Sequence, residues 1–331
     1  MGYIDPRLTF RNKVKDLFKI EIEFDDNIVS FKTKSSTKHR LNQDQTQDIF
    51  SDKWSDFEKG EKKSEVYSFQ KDWFLKLYGF RSEAKLKGFL LNKNIILDAG
   101  CGLGYKAAWF AELAPHATVI GIDISEAVYI AAKNYSHFSN LFFLKGDIAA
   151  TALKEKSIDF TVCDQVIMHT EIPEITFNHL SAITTINGEF ACYVYRKKAL
   201  PRELLDDYFR TATHKISKEE IWEMSAQLTE LGERLSELNV TFNSPDIPLL
   251  GIKGGEYDLQ RFIYWNFIKC FWKQEWGKEM SCATNFDWYA PSNAKRYSKE
   301  EFKKLINVNN LYVKFFHEEE ACYSGRFLKK I

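Results

Sequence analysis

The sequence predicts an α/β fold: a doubly wound, mostly parallel, seven-stranded sheet with a helical insertion after the fifth strand and an N-terminal extension. Three observations carry this. Short apolar runs alternate with helix-like stretches between residues 95 and 195, and such alternation implies a parallel sheet covered on both faces. The first run, Ile95-Ile96-Leu97, meets a glycine-rich turn at Gly100-Cys101-Gly102-Leu103-Gly104, and a helix starts at Tyr105. Aspartates stand where three successive strands end, at Asp98, Asp123 and Asp147. Ligands of open parallel sheets gather at those carboxyl ends.

Residues 1–65 read as an extension. Ile20-Glu21-Ile22-Glu23-Phe24 and Ile28-Val29-Ser30-Phe31 alternate with period two around Asp25-Asp26-Asn27, which predicts a hairpin. Ser35 to Asp48 is nearly devoid of apolar residues and predicts a loop. Trp54, Phe57, Tyr67, Phe69, Trp73, Phe74, Tyr78 and Phe80 follow at helical spacing, most of them as core. The cofactor-binding core is expected over residues 66–198. Its strands are 95–98, 118–123, 141–145, 158–164 and 188–195, and its helices fall near 105–114, 125–135 and 174–185.

The insertion covers 199–290. Ser217-Lys218-Glu219-Glu220 is a capping box. Ile221, Met224, Leu228, Leu231, Leu235 and Leu238 repeat at three-four spacing and predict an apolar seam. Packing as a cap on its own domain is the first reading and a dimer contact the second, so the protein is expected as a monomer or homodimer. Residues 291–331 return to the core: Ser298-Lys299-Glu300-Glu301 caps a helix to Ile306, and 312–316 and 321–327 read as two closing strands.

Composition sets outer limits. The chain has 331 residues, 44% of them apolar, enough for one large core or a core plus a smaller domain. Lys plus Arg equals Asp plus Glu, 46 each, so the net charge is zero and bulk electrostatics does not favour a nucleic-acid partner. No apolar run reaches membrane-spanning length, and residues 1–6 show no signal-peptide core. Six cysteines without a C-x-x-C pair read as reduced thiols of a cytoplasmic protein. No cluster has metal-ligand spacing, so no metal is expected.

The turn between Leu97 and Tyr105 puts bare N–H groups and a helix N-terminus beside a ligand. Asp123, about 20 residues further on, can accept both hydroxyls of a ribose. A purely structural turn is one alternative, and a dinucleotide site is another. The second is disfavoured because the glycines run G-x-G-x-G and because Asp98, two residues before the first glycine, would repel a pyrophosphate. A cofactor carrying positive charge suits that carboxylate.

Asp98-Ala99-Gly100-Cys101-Gly102-Leu103-Gly104, Asp123, Gly146-Asp147 and the strand and loop Ser157–Thr170 together resemble the class I S-adenosylmethionine-dependent methyltransferases, whose first motif is D/E-x-G-x-G-x-G. The resemblance covers about residues 66–198 and 291–331 and implies a Rossmann-like sheet closed by an antiparallel pair. It implies S-adenosyl-L-methionine as cofactor, held by Asp98, Gly100, Cys101, Gly102, Gly104, Asp123, Ile124, Asp147, Ile148, Asp164 and Gln165, with Asp147 at the adenine amine. Helices before the first strand often close over the cofactor in that family, which brings in Tyr67. His169, in the loop after the fourth strand, is the candidate catalytic base; it could equally only hydrogen-bond the loop. Glu171 is the second ionisable candidate. Substrate binding is expected from Arg196, Asp287, Trp288 and Tyr289, with Arg202 and Arg210 as further cations that Asp206 and Asp207 would partly cancel. Trp288 can also be a packed loop residue. The expected reaction is methyl transfer to a small molecule, with a loose likeness to sugar and natural-product enzymes. A methyltransferase for protein or RNA and a non-catalytic S-adenosylmethionine-binding regulator are the alternatives.

Overall fold

The computed structural model describes residues 6–32, 41–59, 63–212 and 215–330, with the backbone alone for 41, 52–59 and 63–65. The side chains of Trp54 and Phe57, and residues 35–40 of the predicted loop, lie outside the described part. The chain divides into two compact units, one of residues 1–40, 50–195 and 297–331, the other of 41–49 and 196–296.

The first unit carries helix α1 (Pro6–Leu17) and strands β1 (Ile22–Asp25) and β2 (Ile28–Phe31). Helix α2 (Leu41–Lys59) begins in the second unit, and α3 (Lys63–Leu77) and α4 (Glu83–Leu90) follow in the first. Then strands and helices alternate: β3 (Ile95–Ala99), α5 (Tyr105–Leu113), β4 (Thr118–Asp123), α6 (Ala127–Asn134), β5 (Leu141–Lys145), β6 (Ile158–Cys163), α7 (Pro173–Ile183) and β7 (Thr184–Arg196). The second unit supplies α8 (Leu200–Ala212), α9 (Lys218–Glu237), β8 (Thr241–Ser244), β9 (Gly255–Asp258), α10 (Leu259–Asn266) and α11 (Gly277–Tyr289). After the short β10 (Arg296–Tyr297), the first unit resumes with α12 (Lys299–Val308), β11 (Leu311–Glu318) and β12 (Cys322–Lys329).

The sheet runs β1-β2-β5-β4-β3-β6-β7-β12-β11. Strands β2 to β7 pair in parallel, and β12 is antiparallel to both β7 and β11. Alternate residues of each strand enter opposite cores. Leu97, Ile120, Ile122, Phe142 and Cys163 face one, while Ile96, Val119, Phe143, Phe160 and Val162 face the other. Phe74 and Tyr78 of the aromatic segment join the second core, fully buried.

Two expectations are corrected. The sheet does not stop at seven strands, because the predicted hairpin joins it. Val29, 1% exposed, pairs with Leu144, and the turn residue Asn27 accepts from the Phe143 amide (2.8 Å) while its Nδ2 donates to the Ala132 carbonyl (3.0 Å). The hairpin covers what would be an exposed sheet edge. The predicted loop over 35–48 is helical from Leu41. An amide helps to anchor that helix: Gln45 donates to the Ala290 carbonyl (2.9 Å) and accepts from the Ser292 amide (3.0 Å).

The leucine seam is also corrected. The Ser217/Glu220 capping box forms and starts α9 as predicted. The buried face is Ile221, Ser225, Leu228, Thr229 and Gly232, whereas Leu231 and Leu238 are 40% and 58% exposed. Small residues replace leucines because a neighbouring backbone comes close: a Cβ on Gly232 would lie 2.4 Å from the Cys270 carbonyl oxygen. On the same face Thr229 accepts from Asn285 Nδ2 of α11 (2.9 Å), and Trp222 stacks on Phe286. Leu228→Ala should therefore destabilise the protein by about 2–5 kcal/mol, and Leu231→Ala by less than about 1 kcal/mol. Urea denaturation followed by tryptophan fluorescence compares the two variants directly.

Candidate functional site

The site begins where β3 gives way to the glycine turn. Gly100 (φ +84°) and Cys101 donate to the Ile122 carbonyl, at 2.7 and 3.0 Å, which ties the turn to β4. A Cβ at Gly100 would meet the Val166 side chain at 2.4 Å, so backbone angle and space both require glycine. Gly104 (φ +76°) is the N-cap of α5, and a Cβ there would strike Ala131 and Phe143 at 2.8 Å. The turn thus lies close against β4, with the first amides of α5 unencumbered by a side-chain cap.

Asp123, at the end of β4, holds this turn. Its Oδ2 accepts from the Gly102 amide (2.8 Å) and its Oδ1 from the amide and hydroxyl of Ser125 (2.8 and 2.6 Å). It remains half-buried with its carboxylate oriented. Ile124 follows, also half-buried. Asp147 accepts from the Ala149 amide (2.8 Å), and Ile148 packs into the core at 5% exposure, leaving its backbone as the part a ligand could use. Burial pushes the Cys101 thiol well above its ordinary range, so it is an inert packing group.

Asp98 has no solvent exposure, and neither carboxylate oxygen accepts a hydrogen bond of normal geometry from a described residue. Burial raises its pKa to about 6; the nearby Lys106 ammonium and, more weakly, the Ala107 amide oppose the shift, while Asp164 and Asp123 add to it. Lys106 is itself buried in the first turn of α5 and pairs with Asp164 Oδ2 at 2.7 Å. Burial is the largest single influence and works against its charge, but Asp164, Tyr105 and Asp98 together outweigh it and hold the ammonium above its usual value. Asp164 Oδ1 accepts from the buried Tyr78 hydroxyl (2.8 Å). Gln165, in the left-handed region at φ +63°, reaches Asp164 and Gln70 Oε1, each at 3.3 Å. Gln70 also accepts from Tyr105 Oη (2.9 Å), and the Tyr105 ring stacks on Tyr67 with centroids 4.5 Å apart. The turn, the strand ends, Asp164, Gln165 and Tyr67 therefore belong to one connected set.

His169 closes a 3₁₀ turn after β6, 6% exposed. Its Nε2 lies 3.3 Å from Tyr195 Oη, and its ring packs edge-on to Phe50 and Tyr195. Glu171 follows, with Oε2 sealed from solvent and without a hydrogen-bond partner among the described residues.

The expected substrate residues fall in the second unit. Asp287, Trp288 and Tyr289 end α11 rather than forming a loop, with Trp288 and Tyr289 buried. Arg202 does not reach out for a ligand: its Nε donates to both oxygens of Asp206 (3.1 and 3.0 Å). Arg210 donates to the carbonyls of Trp288 (2.9 Å) and Pro291 (3.2 Å), and Asp207 pairs with Arg296. Arg196 ends β7, and its carbonyl accepts from Lys198 Nζ (2.7 Å). The sequence reading missed Tyr78, Gln70, Lys106 and Lys269. Lys106 and Lys269 do carry a signal, a lone lysine inside an apolar or aromatic run. Among the described residues no group of three or more His, Cys, Asp or Glu could hold a metal ion, and no helix is long and apolar enough to cross a membrane.

A family of methyltransferase domains matches residues 91–262, more than half of the chain, and the chain belongs to that family. Over 97 residues it is 31% identical to a malonyl-[acyl-carrier protein] O-methyltransferase of Halalkalibacterium halodurans, covering 28% of this chain and 36% of that one. Over 107 residues it is 26% identical to an uncharacterized methyltransferase of Mycobacterium bovis, covering 32% and 52%. The chain thus spans about a third to a half of the length of these curated relatives. Among solved structures, the magnesium protoporphyrin IX methyltransferase of Synechocystis with bound SAH is 13% identical, with a TM-score of 0.40 over 89% of this chain and 90% of that one.

The residues fit a cofactor that carries a positive charge, since a buried carboxylate without a partner gains its ionised form when a cation arrives. Without ligand, the raised pKa of Asp98 is a stability cost. Below about pH 3 the acid is neutral in folded and unfolded chains alike. As pH rises from there the unfolded carboxyl ionises first, so folding stability falls, and above about pH 7 the loss is complete, at about 3 kcal/mol. Asp98→Asn should be close to the native protein in stability at about pH 3 and more stable above about pH 7, which melting curves across that range would measure.

Proposed function

We propose that the chain is an S-adenosylmethionine-dependent methyltransferase acting on a small-molecule acceptor. One observation carries the reading: the sealed, unpartnered carboxylate of Asp98 directly before a glycine turn that only glycines can make. Membership in the methyltransferase domain family supports it. S-adenosylmethionine supplies a methyl group already activated on a sulfonium, so the protein has mainly to place the acceptor in line with it.

The roles of the residues follow from position. Asp98 faces the ammonium of the cofactor's amino-acid end, with Lys106, Asp164 and Tyr78 fixing the charge around it. Asp123 accepts the ribose hydroxyls while keeping its bonds to Gly102 and Ser125. Gly100, Cys101, Gly102 and Gly104 offer backbone and space. Asp147 meets the adenine amine, beside Ile124 and Ile148, and Gln165 and Tyr67 line the site. His169 takes the acceptor's proton where the acceptor is a hydroxyl, and Tyr195 sets the tilt of its ring. Glu171 is the second candidate for that proton. Arg196 and Asp287 bind polar groups of the acceptor, and Trp288 and Tyr289 act as buried supports. Cysteines 101, 163, 192, 270, 282 and 322 are all free thiols, which favours a reducing, cytoplasmic setting.

Calorimetric titration with S-adenosylhomocysteine tests the cofactor site. Asp123→Ala should weaken binding by about 10- to 100-fold, the loss of charge-assisted bonds of about 1.5–3 kcal/mol. Unchanged affinity would remove Asp123 from the ribose. For catalysis, His169→Ala should slow single-turnover transfer by about 10²–10⁴-fold with cofactor affinity unmoved. The native rate should rise through an ionisation near neutral pH. Near-native rates and an unaltered pH profile in the variant would leave positioning as the whole mechanism.

A further inference from the structure

We propose that the second unit holds a buried receptor for the carboxylate of a small organic acid, centred on the Lys269 ammonium and backed by the Trp288 indole and the Arg202–Asp206 pair. The inference rests on the reading that this unit binds the acceptor, and it specifies the acceptor's chemistry: an acidic molecule carrying one negative charge at this point.

Lys269 is 7% exposed, with Nζ 4.7 Å from the Trp288 ring centroid. Among the described residues no carboxylate lies within 4 Å of Nζ and none accepts a hydrogen bond from it. Asp206, a fully buried acid of the same unit, is already engaged through both oxygens by Arg202, which also donates from Nη1 to the Tyr264 carbonyl. Arg202 and Arg210 each lie 5.2 Å from the same indole. Three cations therefore surround one ring; Asp206 pairs with Arg202, and Lys269 has no ion-pair partner among the described residues.

The segment that carries Lys269 is built to hold it. It is neither helix nor strand between α10 and α11, yet its backbone is pinned on both sides. The Lys269 amide donates to Tyr289 Oη (3.1 Å), and Phe271 exchanges two bonds with the Asn285 side chain (2.8 and 3.1 Å). A largely buried ammonium without a counter-ion destabilises a fold. A methionine would fill the same space without that cost, so the charge points to a ligand. Burial, followed by the Arg202 guanidinium, lowers the Lys269 pKa to about 7, with Lys198 adding to the shift and Asp287 and Asp206 opposing it. One ammonium without a partner matches one carboxylate, whereas a phosphate dianion would leave a charge buried.

The binding is coupled to a proton. An arriving carboxylate favours the charged lysine, so affinity is highest below pH 7 and falls by about tenfold per pH unit above it. The test uses the full-length protein labelled with ¹³Cε-lysine, titrated with acetate and, separately, with inorganic phosphate between pH 6 and 9. One lysine resonance, absent in Lys269→Gln, should titrate near neutrality, and saturating acetate should move its midpoint up by at least about one pH unit. Acetate should also raise the melting temperature of the native protein and not that of Lys269→Gln. If that variant does not fold, Lys269→Arg supplies the assignment and the native titration decides. A midpoint indifferent to acetate, or equal stabilisation of native and variant proteins, overturns the proposal. Tighter binding of phosphate than of acetate overturns the carboxylate assignment. S-adenosylhomocysteine titration of the same samples separates the two readings. If it binds while acetate does not, only the acid receptor falls; if acetate binds while it does not, the methyltransferase reading falls.

Discussion

At the carboxyl ends of β3 and β6 a single buried ammonium, Lys106, stands between two carboxylates, Asp98 and Asp164. It pairs directly with one and leaves the other without a partner. Water cannot correct the imbalance, because all three groups are buried. The protein has two ways out: protonate Asp98, which its raised pKa permits, or admit a cation. Much of the site geometry serves to keep that choice open. Asp123 ties the glycine turn to β4, Tyr78 satisfies Asp164, and Gln165 is held in a strained backbone conformation with its amide between Asp164 and Gln70.

The second unit presents the opposite imbalance. Asp206 neutralises Arg202, and Lys269 is left as a buried positive charge beside Trp288. Each unit thus contains a buried group whose ionised form is disfavoured until a ligand of opposite sign arrives. On the proposed reading, the donor cofactor answers the first and an acidic acceptor answers the second. A ligand that binds only the folded chain stabilises it in proportion to its affinity. Both charge defects are therefore costs of the free protein that binding removes.

Backbone geometry was legible in the sequence, and long-range pairing of charges was not. The glycine turn could be read because Gly100 and Gly104 answer local demands of φ and space, and the strands because apolar runs of fixed length alternate with helices. The aspartates could be read because they terminate those runs. Lys106 was passed over although it lies next to the turn, since nothing local states that Asp164, 58 residues later, will meet it. The leucine seam misled for a related reason. Three-four spacing marks a face but not how near the neighbour comes, and at Gly232 the Cys270 backbone comes so near that small residues occupy the interface. Polarity likewise hid α2, whose described contacts include the Gln45 amide beside the buried Ile49 and the ring of Phe50.

His169 shows why identifying a residue falls short of assigning its role. The imidazole is buried, and its Nε2 faces the Tyr195 hydroxyl at a long hydrogen-bond distance. Either partner can be the donor. If Tyr195 donates, Nε2 is already occupied and proton removal from an acceptor requires that bond to break first. If Nε2 donates, the remaining ring nitrogen is the basic one and the tautomer is fixed by Tyr195. Glu171, two residues on, carries a sealed carboxylate oxygen without a described partner. On the proposed reading the loop after β6 offers two candidate proton acceptors, a histidine limited by its existing bond and a glutamate two residues on. The acidity of the acceptor decides between them, since a weakly acidic hydroxyl needs the base in direct contact while an already ionised group needs none.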